Sequence, residues 1–105
     1  IPAPYLQDLY SHPVEDSLAA LSIPILVLQG ENDFQMHTED FRSWEEALAG
    51  YAGPWEAEML ENLSHLFVDD SALANRGSLA EYLEEGHVDP GVLDRIAAWI
   101  AESVA

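Results

Sequence analysis

One segment limits the folds open to this chain more than any other: residues 23–30, Ile-Pro-Ile-Leu-Val-Leu-Gln-Gly. Aliphatic residues run from a proline to the closing glycine with no polar alternation before Gln29, the pattern of a strand covered on both faces. Only one other segment reads as a strand. Trp55, Ala57 and Met59 alternate with Glu56 and Glu58, so it has one wet face and belongs nearer an edge of the sheet. Between them a helix is predicted with Thr38 as N-cap and Glu39 and Asp40 in its first turn, where carboxylates favour the helix dipole. Phe41, Trp44, Ala47 and Leu48 form its buried face, and Gly50 ends it. Strand, helix and strand in this order require parallel strands joined by a right-handed crossover. Two parallel strands alone cannot give a doubly covered strand the neighbours its backbone needs. The expectation is an α/β unit of two parallel strands with crossover and flanking helices. Its sheet is incomplete in this chain and is finished by another segment or another copy.

Around that unit the pattern is plainer. Residues 1–12 hold two prolines and two tyrosines without clean periodicity and read as an irregular lead-in with one helical turn. A short helix follows from Pro13, with Val14, Leu18 and Leu21 on one face. Residues 61–67 form a histidine-bearing loop, and a polar excursion beyond it contains a short helix around residues 79–83. Asp89 and Pro90 then cap and open a last helix lined by Val92, Ile96, Trp99 and Ile100. No repeat or linker divides the chain, so residues 1–105 are expected to be one segment of a single domain. The chain opens on Ile1 without a charged-then-apolar leader, and its start is expected to be a processing boundary or a cut inside a longer protein.

Charge excludes some partners. Arg42, Arg76 and Arg95 are the only basic residues besides histidine against 20 acidic ones, a net charge of -17, so little is present to neutralise phosphates. Nucleic acid is therefore not an expected partner, and neither is a membrane, since no apolar run approaches the ~20 residues of a span. Without cysteine there is no disulfide, thiolate nucleophile or cysteine metal site. A hydrophobic fraction of 49% with three tryptophans marks a folded chain despite the charge.

Asp33 follows the first strand directly, at the strand end where open α/β sheets gather catalytic groups. Alone it reads equally as a turn residue. His65 follows the second strand, one full crossover later, and neighbouring parallel strands lie ~4.8 Å apart, close enough for the two loops to meet. A carboxylate that orients an imidazole, and an imidazole that takes a proton from a nucleophile, form the acid and base of a hydrolytic triad. Other candidates are weaker. Asp33, His37, Glu39 and Asp40 are crowded enough to suggest a metal site, but a helix start explains Glu39 and Asp40, and no His-x-x-x-His pair exists, so no metal is expected. His87 precedes a helix cap and reads as structural, and nothing assigns a role to His12. Phe41, Trp44, Trp55 and Trp99 read as core by spacing.

The stretch IPILVLQGENDFQMHTEDFRSWEEAL followed by LENLSHLF resembles the acid strand and histidine loop of α/β-hydrolases, in the esterase, dienelactone-hydrolase and serine-peptidase-like branch. APYLQDLYSHPVEDSLAAL and EYLEEGHVDPGVLDRIAAWI resemble that branch's flanking segments, so the likeness covers nearly the whole chain. It implies the C-terminal part of an α/β-hydrolase fold, with Asp33 as triad acid and His65 as triad base, in the family's order of Ser, Asp, His. It also implies a small ester-like substrate, with amide or thioester as variants, no cofactor, and the N-terminal part of the same domain as partner. The chain departs from the family in one decisive way: none of its serines sits on a G-x-S-x-G elbow, so nucleophile and oxyanion hole are expected upstream and little activity is expected from these residues alone. Asn32 stands where the branch often has arginine, and Phe34 and Met36 where Tyr and Val are common. A second reading, of a different class, is a non-catalytic acidic module that associates through its open sheet edge, with self-association as its signature.

Overall fold

The computed structural model describes residues 3–11, 14–71 and 73–104. In chain order the elements are α1 (Ala3–Ser11), α2 (Val14–Ala19), β1 (Ile25–Gly30), α3 (Thr38–Leu48), β2 (Trp55–Leu60), a 3-10 helix (Leu79–Leu83) and α4 (Pro90–Val104). β1 and β2 are parallel and in register from Ile25 opposite Trp55 to Gly30 opposite Leu60, and α3 is the crossover between them. The predicted α/β unit of two parallel strands with flanking helices is therefore present.

Several expectations need correction. The lead-in is a nine-residue helix rather than a single turn. Pro4 stands in its first turn, where the ring removes no intrahelical bond, so it opens the helix rather than breaking it. Of the predicted face of α2, Leu18 is buried while Val14 is exposed, as is Leu21 just beyond the end of the helix; the proposed opening at Pro13 lies outside the described residues, as does His12. The N-cap of α3 is His37 rather than Thr38, because the carboxylate of Asp40 accepts the His37 backbone N–H at 2.7 Å and fixes the start one residue earlier. At α4 the expected cap holds: Asp89 accepts the Gly91 N–H and Pro90 is the first helical residue.

The core is small. Leu18, Phe41, Leu48, Leu63 and Val92 are buried, whereas Ile25 to Leu28 of β1 are only half-buried, because β2 is the one strand beside β1 among the described residues. Of the four apolar residues expected to line one side of α4, Val92 is buried and Trp99 half-buried, whereas Ile96 and Ile100 are exposed. What ties α4 to the sheet is Arg95, whose guanidinium donates to Glu58 at 2.8 Å and to Glu56, two carboxylates on one face of β2. The radius of gyration, 16.1 Å, exceeds the roughly 13 Å of a self-contained domain of this length. Among the described residues no helix is long and apolar enough to cross a membrane.

Candidate active site

The loop after β1 is shaped by its own side chains. Asp33 donates its backbone N–H to Gly30, and its Oδ1 accepts the N–H groups of Gln35 at 2.9 Å and Met36 at 3.0 Å. Buried Gln29 donates from Nε2 to the carbonyls of Met36 and His37, which folds the loop back over the strand end. One carboxylate oxygen of Asp33 is thus committed to the loop, and Oδ2 is left to point elsewhere.

The loop after β2 turns twice through left-handed backbone, at Asn62 (φ 63°) and Phe67 (φ 59°). Ser64 is buried between these turns: its Oγ accepts the Leu66 N–H at 3.2 Å, and its backbone N–H donates to Val68 at 2.9 Å. This compact turn carries His65, whose Nδ1 lies 2.7 Å from Asp33 Oδ2. The two residues predicted to pair are therefore brought together. The Asp33 side chain is 5% exposed and that of His65 38% exposed, so the acid is sheltered while the base faces an opening. That opening is a groove of about 340 Å³ along β1, walled by Val27, Leu28, Met36, Trp44 and Phe67 together with the pair itself. Trp44, expected in the core, is half-buried and lines it.

Two further features align the loops. Asn32 Nδ2 donates to Oδ1 of fully buried Asp70 at 2.9 Å, while its backbone N–H donates to the Leu63 carbonyl at 3.0 Å. Gly30 approaches the histidine loop so closely that a Cβ there would lie 2.4 Å from the carbonyl oxygens of Leu63 and Ser64. In the sequence Gly30 reads only as a strand end, and Asp70 carries no signal. Both act across more than 30 residues of sequence, and no local pattern announces them. Tyr82, also unmarked in the sequence, donates to Gln35 Oε1 at 2.6 Å and places its ring 6.3 Å from the imidazole. The crowded acids near His37 have other work: Asp40 caps α3 and Asp33 holds His65. Among the described residues no three metal-binding side chains lie together.

Burial pushes the Asp33 carboxyl up, but the hydrogen bonds from His65, Met36 and Gln35 outweigh it, and the group titrates below its ordinary value of 3.8. Folded Asp33 binds a proton less readily than unfolded Asp33. Its stabilising effect is therefore full above the unfolded value and is lost as pH falls through the depressed folded one. In urea titrations, wild type should exceed Asp33→Asn in stability at neutral pH, with the gap closing below about pH 3.8. A gap that persists unchanged into acid would contradict this origin.

No family model matches the chain, and no solved structure does either. Over 101 residues it is 30% identical to Esterase EstD of Thermotoga maritima (strain MSB8), a match that covers 96% of this chain and 24% of that protein. The relationship is to an esterase. The chain thus spans about a quarter of the curated relative it matches, and the aligned quarter includes the loops that carry Asp33 and His65.

Proposed function

We propose that this chain is the C-terminal part of an α/β-hydrolase domain and supplies the acid and base of a Ser-His-Asp triad for carboxylic ester hydrolysis. The observation that carries the reading is the 2.7 Å contact between His65 Nδ1 and Asp33 Oδ2 at the open end of two parallel strands. With Nδ1 bonded to a carboxylate, the imidazole proton stays on Nδ1 and the Nε2 lone pair is free to act as base. Among the described residues Nε2 has no hydrogen-bond partner.

The nucleophile comes from the N-terminal part of the same domain, which also provides the oxyanion hole. Its serine Oγ attacks the ester carbonyl while His65 Nε2 takes the hydroxyl proton, and that proton then passes to the departing alkoxide. Water repeats the sequence against the acyl-serine and releases the acid. Asp33 stays ionised throughout and stabilises the imidazolium, a role that its lowered pKa suits. No cofactor enters these steps. The groove beside β1 is where the substrate and the missing strand would approach the pair. The unpaired edge of β1 also fits a second copy of this chain, but an esterase relative four times as long favours completion by the protein's own upstream segment.

A fluorophosphonate ester tests the assignment in the full-length protein. It should label a serine that lies before residue 1, and peptide mapping identifies the site. Absence of covalent labelling, or labelling on a serine of residues 1–105, overturns the proposal.

A further inference from the structure

His65 is joined to Asp33 by one hydrogen bond, between Nδ1 and Oδ2 at 2.7 Å. A single bond at Nδ1 sets the distance between the two groups, but the outer torsion of a histidine is broad, and the tilt of the ring decides where Nε2 points. With 38% of the side chain exposed, packing alone does not lock it. Tyr82 supplies a second contact. Its ring centroid lies 6.3 Å from that of His65 at an interplanar angle of 48°, and 5.5 Å from that of Phe34 at 31°, both within the range of aromatic pairing.

The tyrosine hydroxyl donates to Gln35 Oε1 at 2.6 Å, and the backbone N–H of Gln35 donates to Asp33 Oδ1 at 2.9 Å. The contacts therefore close on themselves. Asp33 holds His65 with one carboxylate oxygen and Gln35 with the other, Gln35 holds Tyr82, and Tyr82 lies against His65. Tyr82 is itself braced. It is half-buried in the 3-10 helix, where its neighbour Glu81, 4% exposed, accepts the Gly77 N–H at 2.9 Å. Glu84 accepts the N–H groups of Ala74 at 3.0 Å and Asn75 at 2.8 Å. These carboxylates tie residues 74–84 to one another, so the tyrosine is presented from a closed turn.

We propose that Tyr82 is a positioning residue for the hydrolytic pair: its ring, held by the bond to Gln35, fixes the plane of the His65 imidazole and with it the direction of Nε2. The inference rests on the triad reading of Asp33 and His65. Tyr82 acts through His65 rather than on the substrate, by narrowing the orientations from which the base can take the serine proton.

Tyr82→Leu, Tyr82→Phe and Gln35→Met in the full-length protein test this beside His65→Ala. Three quantities are read: ester turnover, urea unfolding, and the low-field proton resonance of His65 Nδ1–H, assigned by its loss in His65→Ala. Tyr82→Leu removes both ring and hydroxyl, and should lower kcat about tenfold with KM little changed while the resonance broadens through faster exchange with water. Tyr82→Phe keeps the ring and loses only the bond to Gln35, so a loss of about threefold is expected. Gln35→Met, at an exposed side chain, should reproduce that loss, and the double variant should lose nothing further, because both changes remove the same bond. A tyrosine that only stabilises the fold would lower the unfolding midpoint and leave kcat and the resonance unchanged, and that result overturns the proposal. So does a change confined to KM, which would make Tyr82 a substrate contact, and so do additive losses in the double variant. These outcomes count against Tyr82 alone where His65→Ala is inactive; turnover that survives His65→Ala removes the triad and this inference with it.

Discussion

If the proposed triad is right, replacing His65 by alanine in the full-length protein should lower kcat for an ester by on the order of 10⁴-fold, with KM little changed, because the variant loses the proton acceptor the proposal assigns to the serine. Asp33→Asn should approach the same loss by another route. Oδ1 of residue 33 accepts two backbone N–H groups, so an asparagine must keep its oxygen there and turn its NH₂ toward His65. Nδ1 then becomes the acceptor, the ring proton moves to Nε2, and the imidazole faces the nucleophile in the wrong tautomer. Steady-state kinetics on both variants, with circular dichroism to establish the fold, decide the matter. Undiminished turnover in His65→Ala would remove the triad assignment.

Gly30→Ala should give the second large effect. The added Cβ meets two backbone carbonyl oxygens at 2.4 Å, and neither can swing aside as a side chain would. The strand end and the histidine loop must separate, which strains the Asn32 to Leu63 bond and moves His65 relative to Asp33. We expect a loss of about 1 to 3 kcal/mol in stability from the overpacking, and on the order of 100-fold in kcat from a displacement near 1 Å. Gly50→Ala is the matched control, since a Cβ there meets nothing within 4 Å. Equal behaviour of the two variants in urea unfolding and in kinetics would show that the close approach at Gly30 has no bearing on the pair.

The sequence made some of this legible and hid the rest for physical reasons. β1 and β2 stood out because runs of apolar residues and strict alternation are local patterns, and α4 because Asp89 and Pro90 mark a helix start from their own chemistry. Asp33 and His65 could be paired because both follow parallel strands, and strand order fixes which ends meet. α1 escaped notice because Pro4 reads as a helix breaker, although it stands in the first turn, where a proline is tolerated. The shift of the α3 cap to His37 depends on where the Asp40 side chain reaches, which spacing alone does not show. Asn32 with Asp70, Gly30 with Leu63 and Ser64, and Tyr82 with Gln35 are contacts between distant segments, visible only once the chain is folded. The half-buried state of β1 agrees with that local pattern, because the sequence describes a strand suited to cover on both faces and among the described residues only β2 lies beside it.

The tether of α4 gives salt two opposing tasks. Twenty acidic residues against three arginines repel one another through the solvent, and added ions quiet that repulsion over roughly a Debye length of 8 to 10 Å. The same ions compete for Arg95, the cation that joins α4 to Glu56 and Glu58. Arg95 is 25% exposed, but its partners Glu56 and Glu58 are 48% and 45% exposed, so the tether lies within reach of those ions. Added salt therefore eases the repulsion and loosens the tether together.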